Sequence, residues 1–296
     1  MTMTFKGTGT AIITPFNENG IDYDNFSRLI DWQIEQKVEF LLVLGTTGES
    51  PTVLGAERDD LIKFFIKKVN GRVPVVVGAS SNSTAAAKEN SVKAQELGAN
   101  GVLIVTPYYN KPTQEGLFQH FKTIADAISI PIIIYNVPSR TGVNILPDTV
   151  LRLAEHKNIA ALKEAAGIQA QVDELLRKIH IVRPDFSVLS GNDDQAFHLV
   201  NAGGQGVISV LSNIAPLATS NMIREALAGN VAKARELHLK LFPLMKNLFM
   251  ETNPIPVKYG AHKLGFCKNI LRLPLVSATE KCMKQIDTDM KECGLI

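Results

Sequence analysis

The chain has 296 residues, 45% of them hydrophobic and 20% charged, with a net charge of +2. That is the make-up of a folded globular protein, one large α/β domain or two smaller ones. So small a net charge gives no footing to a nucleic-acid or anionic-membrane partner, and no apolar run approaches membrane-spanning length.

The opening residues, Met1-Thr2-Met3-Thr4-Phe5-Lys6, lack an apolar core long enough for a signal peptide. Cys267, Cys282 and Cys293 cluster near the C-terminus without CxxC spacing. A sparse, odd set points to a reducing compartment, with neither a disulfide framework nor a zinc site. The expected location is cytoplasmic.

Eight short apolar runs follow one another: 9–15 (GTAIITP), 40–45 (FLLVLG), 73–78 (VPVVVG), 101–107 (GVLIVTP), 131–136 (PIIIYN), 159–163 (IAALK), 186–191 (FSVLSG) and 206–211 (GVISVL). Their β-branched, near-continuous apolar character suits strands buried on both faces of a parallel sheet. Amphipathic segments lie between them, at 23–35, 57–69, 84–97 and 114–128. In the first, Phe26, Leu29, Ile30 and Ile34 share one face. Strand alternating with helix predicts βαβ units. Eight units in about 225 residues predict an α/β fold, a (β/α)8 TIM barrel, with a doubly wound open sheet as the alternative. No GxGxxG follows a strand and no GxxxxGK[ST] occurs, so a nucleotide-binding sheet has no support. Gly203-Gly204-Gln205-Gly206 precedes the eighth run and reads as a tight helix-to-strand turn rather than a phosphate loop.

After Leu211 the strands stop, and 216–228, 232–249, 256–265 and 278–292 read as helices. The first completes the barrel. The rest form a C-terminal helical extension, giving an expected division into a barrel at 1–228, which carries the active site, and a helical domain at 229–296. Met245, Leu248, Phe249 and Met250 read as core or subunit-interface residues, not as a cofactor site.

Functional groups in a barrel gather where strands end. Here those ends hold a polar set: Gly45-Thr46-Thr47-Gly48-Glu49-Ser50, Thr106-Pro107-Tyr108-Tyr109-Asn110, Tyr135-Asn136 through Gly142, Lys163-Glu164, and Ser190-Gly191-Asn192-Asp193-Asp194. Lys163 ends the apolar run Ala160-Ala161-Leu162. A lysine there snorkels to the surface, finds a partner, or loses its proton. The last choice has a use, because a neutral amine attacks a carbonyl carbon to form a Schiff base. Tyrosine hydroxyls relayed by a threonine would shuttle the protons. Backbone N–H groups of the Thr46-Thr47 turn would hold a carboxylate, and Arg140 would take a second one in a bidentate fork. Small keto acids are the inferred substrates. The six histidines fall within or beside helical segments, none at a strand end, so no metal and no cofactor is expected. Asp193-Asp194 reads as a helix N-cap before Gln195.

These motifs in combination are specific: GTTGES at 45–50, TPYYNKP at 106–112, YNVPSRTG at 135–142, the lysine of LKEA at Lys163, and GVISV at 206–210. Over nearly its whole length the chain resembles the dihydrodipicolinate synthase and N-acetylneuraminate lyase family. The resemblance implies that Lys163 is the Schiff-base lysine and Tyr135 the proton shuttle, with Thr46 and Tyr109 completing the relay. Tyr109 would come from a neighbouring subunit. It further implies that Thr47 binds the pyruvate carboxylate, that Gly191 and Ile208 line the pocket, and that Arg140 receives the second substrate's carboxylate. SRTG at 139–142 favours the synthase branch, where pyruvate condenses with L-aspartate 4-semialdehyde on the diaminopimelate route to lysine. The alternative is a pyruvate-dependent aldolase of the same family acting on a sugar keto acid. A homo-oligomer is implied, at least a dimer and on balance a homotetramer. An allosteric lysine pocket is matched only in part, by Ser50, Asn82 and Tyr108. Ala86 stands where lysine-sensitive members carry an acid, and Gly55 and Arg58 where they carry histidines, so inhibition by lysine is expected to be weak or absent.

Overall fold

A strand that is apolar on both faces must be covered on both, and in this chain a closed sheet wrapped by helices does so. The computed structural model describes residues 5–296; the leader reading made on the first residues lies, for residues 1–4, outside the described residues. In chain order the elements are β1 (Gly7–Ala11), the small hairpin β2 (Phe16–Asn17) and β3 (Gly20–Ile21), α1 (Tyr23–Glu35), β4 (Phe40–Val43), α2 (Gly55–Val69), β5 (Val75–Gly78), α3 (Thr84–Glu96), β6 (Gly101–Val105), α4 (Gln114–Ala125) and β7 (Ile132–Asn136). There follow α5 (Pro138–Thr141), α6 (Pro147–Ala154), β8 (Ile159–Glu164), α7 (Gln169–Val182), β9 (Ser187–Ser190), α8 (Asp193–Asn201), β10 (Gly206–Ser209) and α9 (Pro216–Leu227).

Strands β1 and β4 to β10 form one closed parallel barrel, the eight strands that the apolar runs predict. Closure is made by β1, which pairs with β4 on one side and β10 on the other. The first strand is displaced from its expected run, beginning at Gly7 and ending at Ala11. Ile12 and Ile13 are buried past the strand end: the Ile12 N–H still donates to the Leu42 carbonyl at 3.0 Å, whereas the Ile13 N–H turns to the Asn213 side chain at 2.9 Å. Two apolar layers result. Phe40, Leu42, Leu103, Ile133 and Ile208 fill the barrel interior, while a larger layer, including Phe26, Leu61, Phe65 and Phe121, sits between barrel and helices.

Three more helices follow: α10 (Val231–Asn247), α11 (Ile255–Lys263) and α12 (Glu280–Glu292). α10 packs along α9 and α8, and α12 packs along α10 and α11. The extension is tied to the barrel through the GTTGES turn. Lys258 on α11 pairs with Glu49, both side chains being fully buried. The Arg272 N–H donates to the same carboxylate at 3.0 Å. Phe16 packs between the two cations, 4.1 Å from the Lys258 amine and 4.3 Å from the Arg272 guanidinium. Among the described residues no helix is long and apolar enough to cross a membrane.

Candidate active site

Side chains alternate along a strand, so in β8 Ala161 and Lys163 point into the barrel while Leu162 and Glu164 point to the helices. Lys163 therefore stands at the C-terminal rim of the interior, 5% exposed. In the parallel register it lies beside Tyr135 of β7, and its amine sits 4.3 Å from the centre of the Tyr135 ring. Among the described residues no carboxylate comes within ion-pair distance of it. Burial pulls its pKa from 10.5 down to about 7, with Asp193 opposing and Arg140 adding to the fall. A substantial neutral fraction at neutral pH is what nucleophilic attack requires.

The lysine faces a cavity of about 470 Å³ whose lining includes Thr46, Thr47, Tyr135, Arg140, Gly191 and Asn253. Gly191 is required there by space. A Cβ at that position would lie 3.1 Å from Lys163 Cε and 2.8 Å from Ala165 Cβ, so any larger residue would push the lysine stem aside. Ile208 is fully buried in the interior layer beneath. Thr46 and Thr47 sit in a tight turn closed by the Gly48 N–H on the Gly45 carbonyl at 3.1 Å. Among the described residues no backbone acceptor takes the N–H of Thr46 or Thr47. Two adjacent free donors beside glycines form an anion-binding concavity.

Of the expected proton relay, the fold brings Tyr135 and Thr46 to the same cavity. Burial raises the Tyr135 hydroxyl to about 12, with Arg140 opposing, so it stays protonated and acts as a donor at neutral pH. Tyr109 is not brought to this cavity by its own chain. It stands 89% exposed, at φ 71° in the left-handed region. Holding a bulky residue there needs support from its surroundings.

Arg140, on α5, lines the rim of the same cavity and donates to the Asn253 carbonyl at 3.1 Å. The Asn253 amide in turn donates to the Thr47 hydroxyl at 3.0 Å. Asn253 lies between α10 and α11 and joins the two carboxylate-binding candidates. No motif in the sequence marks it, since its partners are more than a hundred residues away. Phe249 also lines the cavity and, like Met250, is partly exposed and so not a core residue, whereas Met245 and Leu248 are buried.

The Asp193 reading needs correction too. Asn192 holds the cap position of α8, without a side-chain capping bond. Asp193 is instead 1% exposed, and its Oδ2 accepts the N–H groups of Val210 and Leu211, each at 2.9 Å. The contacts that bury it come from the far end of β10, which local spacing does not report. Glu164 faces the other way, held between the Asn136 and Gln171 amides and the Ala166 N–H.

A second cavity, of about 570 Å³, lies alongside and is lined by Ser50, Arg58 and Tyr108. Arg58 donates to the Ser50 hydroxyl at 3.3 Å and to the Gly78 carbonyl at 2.5 Å. Asn82 and Ala86 are not among its lining residues. Among the described residues no group of three or more His, Cys, Asp or Glu is placed to hold a metal ion. His120 is buried on α4 with its Nδ1 against the Thr84 hydroxyl at 2.9 Å, and burial lowers its pKa to about 4. The three cysteines are buried free thiols.

The dihydrodipicolinate synthetase family model matches residues 4–293. A 4-hydroxy-tetrahydrodipicolinate synthase of Kosmotoga olearia is 58% identical over 292 residues, covering 99% of each chain. The chloride-inhibited dihydrodipicolinate synthase of Acinetobacter baumannii, solved with pyruvate, superposes with a TM-score of 0.96 at 41% identity, over 99% of this chain and all of that one. A solved monomeric dihydrodipicolinate synthase variant gives a TM-score of 0.97 at 50% identity, over 99% of this chain and 98% of that one. The chain belongs to the dihydrodipicolinate synthetase family.

Proposed function

We infer that the chain condenses pyruvate with L-aspartate 4-semialdehyde, the 4-hydroxy-tetrahydrodipicolinate synthase reaction, through a Schiff base on Lys163. The observation that carries the mechanism is a buried lysine with no ion-pair partner among the described residues and a pKa of about 7, facing a cavity whose wall is completed by a glycine. The lysine nitrogen attacks the pyruvate carbonyl carbon. A C–N bond forms, the carbonyl oxygen leaves as water, and an iminium remains. Loss of a methyl proton gives an enamine, whose carbon attacks the aldehyde of the second substrate. The new C–C bond made, the substrate's own amine displaces Lys163 and closes the ring. Tyr135, fixed as a donor by burial, delivers protons to the departing oxygen and to the new alkoxide, with Thr46 passing them on. The free N–H pair at Thr46-Thr47 suits the pyruvate carboxylate, and Arg140 at the rim suits the carboxylate of the semialdehyde.

The relatives' names favour this reading over the sugar keto acid aldolase. Tyr109, exposed and held at positive φ, suits a residue that completes the site of a second copy of the chain, so a homo-oligomer is part of the proposal; the homotetramer is its finer form. A division of labour near residue 228 is supported by the end of α9 at Leu227. Buried free thiols suit a reducing, cytoplasmic setting. Incubation with pyruvate and borohydride followed by peptide mapping tests the core of the reading, and turnover is then compared between aspartate semialdehyde and N-acetylneuraminate. The pyruvate-derived mass is expected on Lys163 with turnover of the semialdehyde; label on another lysine, or cleavage of the sugar acid alone, would overturn it.

A further inference from the structure

Schiff-base formation changes the charge at Lys163. A neutral amine, pyruvate and one proton become an iminium cation and water. That positive charge appears in a buried cavity whose rim already carries the Arg140 guanidinium, and a cation without a partner there is costly. Lys163 has no ion pair among the described residues, so the compensating charge comes from substrate or from a group not in direct contact.

Asp193 has the features of such a group. It follows Gly191, the residue packed against Lys163 Cε, by two positions. One of its oxygens, Oδ2, accepts the two N–H groups of Val210 and Leu211. Val210 itself lines the cavity that Lys163 faces. The other oxygen, Oδ1, is buried with no hydrogen-bond partner among the described residues. A clip between α8 and β10 needs only the first oxygen, and an asparagine would make it equally well. A buried, unpartnered carboxylate oxygen costs stability and calls for a reason. We propose that Asp193 is a positioning residue for the Schiff-base step, its carboxylate supplying the counter-charge for the iminium on Lys163.

Burial works against the charge of both groups, and within that each favours the charged form of the other. The groups acting on Lys163 are Asp193 from α8, Arg140 from α5 and the Tyr135 ring from β7. Burial raises the Asp193 carboxyl above the ordinary carboxylate range, and the Ser209 hydroxyl, the two backbone N–H groups of the clip and Lys163 oppose that rise. A cation formed on Lys163 draws the Asp193 carboxyl towards the anion against the pull of burial.

The inference rests on Lys163 being the nucleophile, which the label position in the wild-type chain settles separately. Asp193→Asn keeps the clip and removes the charge. Cyanoborohydride trapping of pyruvate is followed across pH by intact mass in wild type and variant. Without the carboxylate, Lys163 loses its proton more readily, so the trapping midpoint is expected to fall by about one pH unit. The less stable iminium is expected to raise the pyruvate concentration for half-trapping about tenfold above the midpoint. A variant that traps with the wild-type midpoint and affinity, or that loses affinity with no movement of the midpoint, would reduce Asp193 to a clip and overturn the proposal. Should the Asn chain not fold, carbon-13 carboxyl labelling of aspartate in the wild type decides. One aspartate resonance is expected to inflect at the Lys163 midpoint, and Lys163→Ala is expected to abolish that inflection. Absence of the inflection, or its survival in the Ala chain, would overturn the proposal.

Discussion

At the barrel mouth Lys163 lies 5% exposed with the Tyr135 ring face beside its amine. At the joint with the helical extension Lys258 lies fully buried against the Glu49 carboxylate, which also accepts from the Arg272 N–H. Burial works against the charge of both lysines; Glu49 opposes it at Lys258, whereas Lys163 has no contacting anion among the described residues. The difference is one of partners rather than of depth. A buried ammonium with a contacting carboxylate fastens two parts of the chain together, whereas one without is left ready to give up its proton. The two sites communicate through a short stretch: Glu49 lies two residues from Thr47, and Asn253, five residues before Lys258, donates to the Thr47 hydroxyl. The extension thereby anchors the turn that faces the nucleophile.

Exchanging each lysine for methionine breaks the comparison most sharply. Lys163→Met is expected to abolish pyruvate trapping and reduce turnover to background. Its effect on stability has the opposite sign. The folded pKa near 7 lies below the unfolded value, so between pH 7 and the ordinary lysine range the unfolded chain binds a proton that the folded chain does not. Stability contributed by this site therefore falls as pH drops from about 10 towards 7. Lys163→Met removes that cost, and thermal melts at pH 7 are expected to show a gain of about 0.5–2 kcal/mol. Lys258→Met leaves Glu49 buried and unpaired, with an expected loss of about 3–5 kcal/mol. Equal stability changes in the two variants would sink the distinction.

Tyr135→Phe sharpens the picture at the reactive lysine. It keeps the ring beside the amine and removes the hydroxyl, so kcat is expected to fall by about 10²–10⁴ while trapping on Lys163 persists. A fall of less than tenfold in steady-state assays would take the donor role away from Tyr135.

Arg140→Ala tests the cation that acts on Lys163 from the rim. Removing it should let the trapping midpoint rise above 7, because Arg140 helps to hold that pKa down. The KM for the semialdehyde is expected to rise by roughly 10-fold or more, the loss of a charge-assisted contact of about 1.5–3 kcal/mol, with that for pyruvate changing less. Equal changes in both constants would point to a structural role through the Asn253 carbonyl.

Arg58 extends the comparison to a third cation, and here the smallest effect is expected. Burial works against its charge too, and the cavity it lines contains no Asp or Glu. An L-lysine ammonium entering there would meet a guanidinium and lose its hydration without a carboxylate in return, typically a loss of about 2–5 kcal/mol. Steady-state rates over rising L-lysine are expected to stay near the uninhibited value. Half-inhibition below about a millimolar would contradict this, and Ala86→Glu with Arg58→His is the constructive counterpart.

By itself the sequence determined the eight strands, the helices between them and the candidacy of Lys163. These are matters of local period and composition: β-branched apolar runs cannot be solvated on either face, and a single lysine ending such a run stands out in any window. Tyr135, Thr46, Thr47 and Arg140 were legible for the same reason, since barrel chemistry collects where strands end. What only the tertiary structure decided is which groups meet. Asp193 looked like a cap because its first turn is local, while the amides that bury it lie just past the end of β10. Asn253 and Phe249 reach the cavity from between α10 and α11, and Glu49 finds Lys258 across more than two hundred residues. Whether a buried charge is paired or left free depends on contacts at long sequence separation, and no local window contains them.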